Sequence, residues 1–124
     1  MNLNTLFKIN VFVSGLFGLG FVFAPEATLA PYGLSQEIID GSVMVARWFG
    51  GANIGYGILS WMMSNSQDSD AKTTVAKAYS IGFGISFLIS IQNQLSGEMN
   101  SLGWSTVILF AAFSIAFGKF AFKK

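Results

Sequence analysis

The chain has 124 residues, 52% of them hydrophobic and only 10% charged, with a formal net charge of +1. A soluble domain carries about 25% charged residues, so this balance excludes an ordinary soluble fold and points to lipid as the solvent. With no basic patch beyond Lys123 and Lys124, it also excludes a nucleic-acid partner. Cysteine and histidine are both absent, which removes disulfides, thiolate metal sites and Cys-His or Ser-His catalysis, and no haem, zinc or iron-sulfur cofactor is expected.

The apolar residues fall into four long runs instead of being scattered at amphipathic spacing, the pattern that a hydrocarbon solvent demands of spanning helices. The first predicted span covers residues 3–24 and is closed by Pro25, which cannot extend the hydrogen-bond ladder. Lys8 ahead of an apolar run ending in Phe23-Ala24-Pro25-Glu26-Ala27 has the outline of a signal peptide. The run is long for one, and Pro25 sits awkwardly at the cut, so an uncleaved span is expected. Residues 25–41, with two prolines, Gly33 and three acids, read as a structured external connection with a short interfacial turn at Ser35 to Asp40. The second span is placed at 42–63 and the third at 73–94, joined by the polar stretch 64–72. The fourth, at 102–122, carries Trp104 near one interface as an aromatic anchor.

The fold class expected is all-α: one membrane domain over 1–124, an up-down-up-down bundle of four transmembrane helices joined by short loops. Basic residues are retained on the cytoplasmic side. With both termini inside, Lys8, Lys72, Lys77, Lys119, Lys123 and Lys124 all lie there, and Arg47 alone lies outside. Small residues recur four apart where helices would approach closely: Ser14 and Gly18, Gly51 and Gly55, Gly82 with Ser86 and Ser90, and Ser114 with Gly118. Such rows let backbones touch, the chief attraction between helices in lipid. A row that faces lipid instead would be a seam for a second copy.

Arg47 sits about one turn inside the second predicted span, where an unpaired charge is costly unless it snorkels or finds a partner. Gln92, Asn93 and Gln94 are at similar depth, and Asp40 is two helical turns earlier on the same face if the helix starts that soon. Gly50 and Gly51 thin the helix beyond it, followed by Asn53, Tyr56 and Ser60. Two readings follow. Arg47 locks the outer loop onto the bundle, or Arg47, Asn53 and Asn93 line an outward-opening, ligand-binding pocket in which the cation holds an anionic or carbonyl group. A proton path lacks a deep acid. The glycines at 50–57 lie inside an apolar span without a preceding strand, so they do not cradle phosphate, and Asp68 with Asp70 is a solvated turn rather than a cation site.

The segment Arg47-Trp48-Phe49-Gly50-Gly51-Ala52, continuing through Gly55-Tyr56-Gly57-Ile58-Leu59-Ser60-Trp61, resembles an uncharacterised bacterial family of small four-helix membrane proteins. The opening Leu3-Asn4-Thr5-Leu6-Phe7-Lys8-Ile9-Asn10, the external Pro31-Tyr32-Gly33-Leu34, and the run from Gln94 to Trp104 are similar to it too, so the likeness covers nearly the whole chain. It implies a four-helix fold in the bacterial inner membrane and no particular activity. A more distant similarity of architecture links it to the DoxX-like four-helix proteins, at the level of fold alone.

Two functions are expected to compete. One is a structural or accessory subunit contacting a larger membrane complex or a second copy of itself, through a small-residue row that faces lipid. The other is a binding protein or carrier for a small lipophilic or anionic amphipathic molecule around Arg47. No deep acid-base pair supports an enzyme.

Overall fold

The computed structural model describes residues 1–123 and is helical throughout its ordered elements. Lys124, the last residue of the basic tail, lies outside the described residues. Four long helices are present: α1 (Leu3–Phe23), α3 (Gln36–Asn65), α4 (Ser69–Leu95) and α5 (Gly103–Ala121), with a short helix α2 (Pro25–Leu29) and a 3-10 turn at Ala30–Tyr32 between the first two.

Each start has a local cause. Asn2 accepts from Thr5 N to cap α1, and Ser35 accepts from Ile38 N to cap α3. Asp68 accepts from Asp70 N and Ala71 N at the head of α4. Because Ser35 caps there, and Gln36 Nε2 donates to Asp40 Oδ1 one turn on (2.8 Å), residues 36–40 form the first turn of α3. The separate interfacial turn expected at Ser35 to Asp40 is therefore replaced by continuous helix. The ordered turn of the connection lies earlier, at Pro25, which needs no N–H donor at a first helical position.

Among the described residues three helices, not four, are long and apolar enough to cross a membrane: α1, α4 and α5. The remaining expected span, α3, is ample in length, with 30 residues at about 1.5 Å each, but falls short in apolar content. Arg47, Asn53, Tyr56 and the glycines 50, 51, 55 and 57 interrupt its apolar stretch, so that no window of it is as continuously apolar as a spanning segment requires.

The helices associate as two tight antiparallel pairs, α1 with α3 and α4 with α5. Gly18 and Gly50 lie at the crossing of the first pair, and Gly57 packs on the Gly15 backbone. Reciprocal bonds tie the second pair: Ser80 Oγ donates to Ser114 O (2.8 Å) and Ser114 Oγ to Ser80 O (2.7 Å), with Gly118 against the Ser80 side chain. Gly51, Gly55 and Gly82 instead have open space where a Cβ would stand, so those rows do not face helix contacts.

The pairs meet through an aromatic core of Phe7, Tyr79, Phe113 and Phe117. Phe7 lies 5.4 Å from Phe117 between ring centroids, and Tyr79 lies 5.1 Å from Phe117. Lys72 Nζ, donating to Asn4 Oδ1 at 2.7 Å, joins them again near the chain start. The outward faces carry large apolar side chains such as Phe12, Leu16, Trp48, Ile58, Leu88 and Ile115. An apolar exterior around polar interior contacts is the arrangement suited to a lipid solvent.

Candidate functional site

Beyond the aromatic core the two pairs border a partly open cavity of about 610 Å³, within the range of small-molecule sites. Its register follows from the antiparallel contacts. Asn10, Ser60 and Tyr79 share one level; moving away from it, Asn53 on α3 and Ser86 on α4 are each seven residues out, about 10 Å at the helical rise. Asn93 on α4 and Gly103 at the head of α5 are at the far end, about 21 Å from that level.

The near end is a chain of hydrogen bonds through three helices. Ser14 Oγ donates to Asn10 Oδ1 (3.0 Å), Asn10 Nδ2 donates to Ser60 Oγ (2.8 Å), Ser60 Oγ lies 2.9 Å from Tyr79 Oη, and Tyr79 Oη donates to the Tyr56 carbonyl (2.9 Å). Asn10 and Ser60 are fully buried. Polar groups at that depth must be paired, and here the pairing also fixes α4 against the α1–α3 pair.

The far end is roofed by loops. Asn100 Nδ2 donates to Pro31 O (2.9 Å), Asn100 N donates to Tyr32 O (2.8 Å), and Tyr32 Oη lies 3.2 Å from Thr106 Oγ1. Gly33, at φ 73°, sits under the Asn100 side chain. Gln94 Nε2 reaches Asn100 O (2.9 Å), while Gln94 Oε1 is buried without a partner.

Between the ends the walls are aromatic, with Phe17, Phe21, Phe49, Phe83 and Phe110. Asn53, Ser86, Ser90 and Asn93 line the same space, Asn93 as an exposed residue at its rim, and their side chains make no hydrogen bond among the described residues. Ser90 is only 8% exposed, so its hydroxyl has little but the cavity to address. No Asp, Glu, Lys or Arg is among the lining residues. The cavity therefore offers hydrogen bonds and apolar contact without a formal charge.

Of the three residues expected to form a pocket, Asn53 and Asn93 come together in this cavity and Arg47 does not. Six residues of helix turn through about 600°, leaving Arg47 and Asn53 about 120° apart on α3. Arg47 is exposed and lies in a separate surface groove with Val22, Asp40, Val43, Met44 and Trp48. Asp40 shares its face, as the early helix start requires, but accepts from Gln36. The rows chosen for helix packing also divide. Gly18, Ser114 and Gly118 lie at helix contacts, whereas Ser14, Ser86 and Ser90 line the cavity.

Asn10 and Tyr79 were not singled out by sequence reasoning. A usable signal was present for the first: Asn10 and Ser14 are four apart in an otherwise apolar run, hence on one helix face. Nothing local marks Tyr79, whose partners are 19 and 23 residues away.

A family profile described as a domain of unknown function, DUF8292, matches residues 8–123. The chain belongs to the DUF8292 family. The match takes in the whole cavity of this DUF8292 chain, from Asn10 to Phe113, and brings no activity with it. No curated protein and no solved structure matches the chain. Among the described residues, no group of three or more acidic, histidine or cysteine side chains is placed to hold a metal ion.

Proposed function

We propose that this protein is a membrane-embedded binding protein or carrier for a small uncharged lipophilic molecule held between its two helix pairs. The observation that carries the reading is the 610 Å³ cavity with aromatic walls and four uncommitted polar side chains, Asn53, Ser86, Ser90 and Asn93. An occupant that bonds Asn53, Ser86 and Ser90 gains hydrogen bonds in an otherwise apolar setting, with the exposed Asn93 at the outer rim. The anionic ligand once expected around Arg47 is not part of this reading, since the cavity lacks a cation.

In this proposal α3 crosses the bilayer as a fourth span. Its length, and the apolar side chains Met44, Trp48, Ile58 and Trp61 on its outer surface, support that placement. Both termini then lie on the cytoplasmic side of a bacterial inner membrane, as the basic residues indicate, and a DoxX-like architecture is consistent with the paired helices.

A second reading, an accessory subunit contacting a larger membrane complex or a second copy, is supported by Gly51 and Gly55, which are exposed with nothing against them. Native mass spectrometry from mild detergent separates the two. Binding requires a retained small mass that is lost in Ser90→Phe and kept in Arg47→Ala. A ligand-free oligomer that dissociates in Gly51→Leu supports the accessory reading and rejects the first.

A further inference from the structure

The polarity of the hydrogen-bond chain at the cavity's near end says more about the occupant, on the basis of the binding reading above. Tyr79 has one hydroxyl proton, and it goes to the Tyr56 carbonyl. At the 2.9 Å contact between Ser60 Oγ and Tyr79 Oη, Ser60 must then be the donor. Ser60 in turn accepts from Asn10 Nδ2, and Asn10 Oδ1 accepts the proton of Ser14. All four bonds run in the same sense, and Ser14 stands at their beginning. Its proton is committed, so the only capacity it has left is to accept. Ser14 also lines the cavity.

Three residues further out, about 4.5 Å along the helices, Asn53 and Ser86 face the same space from α3 and α4 with both donors and acceptors unengaged. No charged side chain lines the space, and an ion transferred there from water would have no counter-charge. The flank between α3 and α4 is the more open one. Val45, Phe49 and Ile89 there are 60%, 46% and 51% exposed, against 37% for Phe17 and 8% for Phe21 on α1.

We infer that the cavity holds the head of an uncharged lipid alcohol, whose hydroxyl donates to Ser14 Oγ and bonds to Asn53 and Ser86, while its hydrocarbon chain leaves between α3 and α4 past Val45, Phe49 and Ile89. A head without a hydroxyl proton, such as an ether, leaves the Ser14 acceptor unmet. A carboxylate brings an uncompensated charge.

The test uses the full chain in phosphatidylcholine nanodiscs with a long-chain primary alcohol carrying a diazirine in mid-chain. Irradiation labels the protein, peptide mass spectrometry locates the adduct, and unlabelled competitors of equal chain length report head selectivity. The alcohol should compete about ten-fold better than its methyl ether, the factor expected of one hydrogen bond, and better than the carboxylate. Adducts should concentrate on Val45, Phe49 and Ile89. Ser14→Ala should erase the distinction between alcohol and ether, with the wild-type competition deciding the matter if that variant does not fold. Equal competition by the ether overturns the Ser14 acceptor, equal competition by the carboxylate overturns the uncharged head, and adducts on Phe17 and Leu109 overturn the α3–α4 exit. The first and third results leave the proposed binding function standing, and the second keeps the cavity as a binding site while removing its restriction to uncharged molecules; the absence of any saturable adduct in the cavity removes both the function and this inference.

Discussion

Gly18 and Gly50 bring the backbones of α1 and α3 into direct contact. A Cβ on Gly18 would lie 2.9 Å from the Gly50 carbonyl oxygen, and one on Gly50 would lie 2.8 Å from that of Gly18. Since packing is the main attraction between helices in lipid, this crossing sets the distance between the two helices that form one side of the cavity. Gly50→Val should therefore cost about 1–3 kcal/mol, the usual range for overpacking, read as a lower thermal unfolding midpoint in detergent. Gly51→Ala, one residue away with nothing within 4 Å, should be neutral or raise the midpoint through helix propensity. Equal losses in both variants would show that the crossing has been misplaced.

The Asn10 network predicts non-additivity. Removing the Asn10 amide strips Ser14 of its acceptor and Ser60 of a donor, at a cost of about 1–2 kcal/mol for a hydrogen-bonded group within a membrane interior. Tyr79→Phe removes the other end of the same chain. Because each single change already disrupts the shared network, Asn10→Ala combined with Tyr79→Phe should cost less than the sum of the two. A double-mutant cycle measured by unfolding in detergent provides the check, and simple additivity would mean that the groups do not act together.

At the opposite end the Asn100 side chain joins two loops, donating to Pro31 O and accepting from Leu102 N. Asn100→Ala should raise amide hydrogen exchange over residues 30–34 while lowering global stability by only about 1 kcal/mol. Unchanged exchange there would show that the backbone bond from Asn100 N to Tyr32 O holds the roof unaided.

Gly103 has its own steric demand, since a side chain at that position would collide with the Gln94 carboxamide oxygen. That oxygen is already buried without a partner, and the amide nitrogen of the same group holds Asn100 O. Gly103→Ala should displace Gln94 and destabilise the protein by about 1–3 kcal/mol. Combining it with Gln94→Ala should recover part of the loss, as thermal unfolding of the three variants would show.

Arg47→Ala is expected to be almost silent. The residue is exposed in a groove apart from the cavity, and surface substitutions of this kind stay within about 0.5 kcal/mol. Its unfolding midpoint and its retained ligand should match those of wild type. Loss of the ligand in this variant alone would return Arg47 to the site.

Blocks of apolar residues, Pro25, the caps at Ser35 and Asp68, and the scarcity of charge are local properties. From them the sequence by itself determined a helical protein suited to lipid, with helix positions close to those observed, although α3 begins at Gln36 and not at Ser42 where the apolar run places it. Asn53 and Asn93 were also legible as polar interruptions of apolar helices. Only the tertiary structure decided that these two share a cavity without Arg47, because the rotation of α3 is set by its packing on α1 through Gly18 and Gly50. It likewise decided that Asn10, Ser60 and Tyr79 join end to end, and that Gly50, not Gly51 or Gly55, meets a neighbouring helix. Spacing along a helix tells which residues share a face; which face turns inward depends on contacts between residues far apart in the chain, and those exist only once the helices pack.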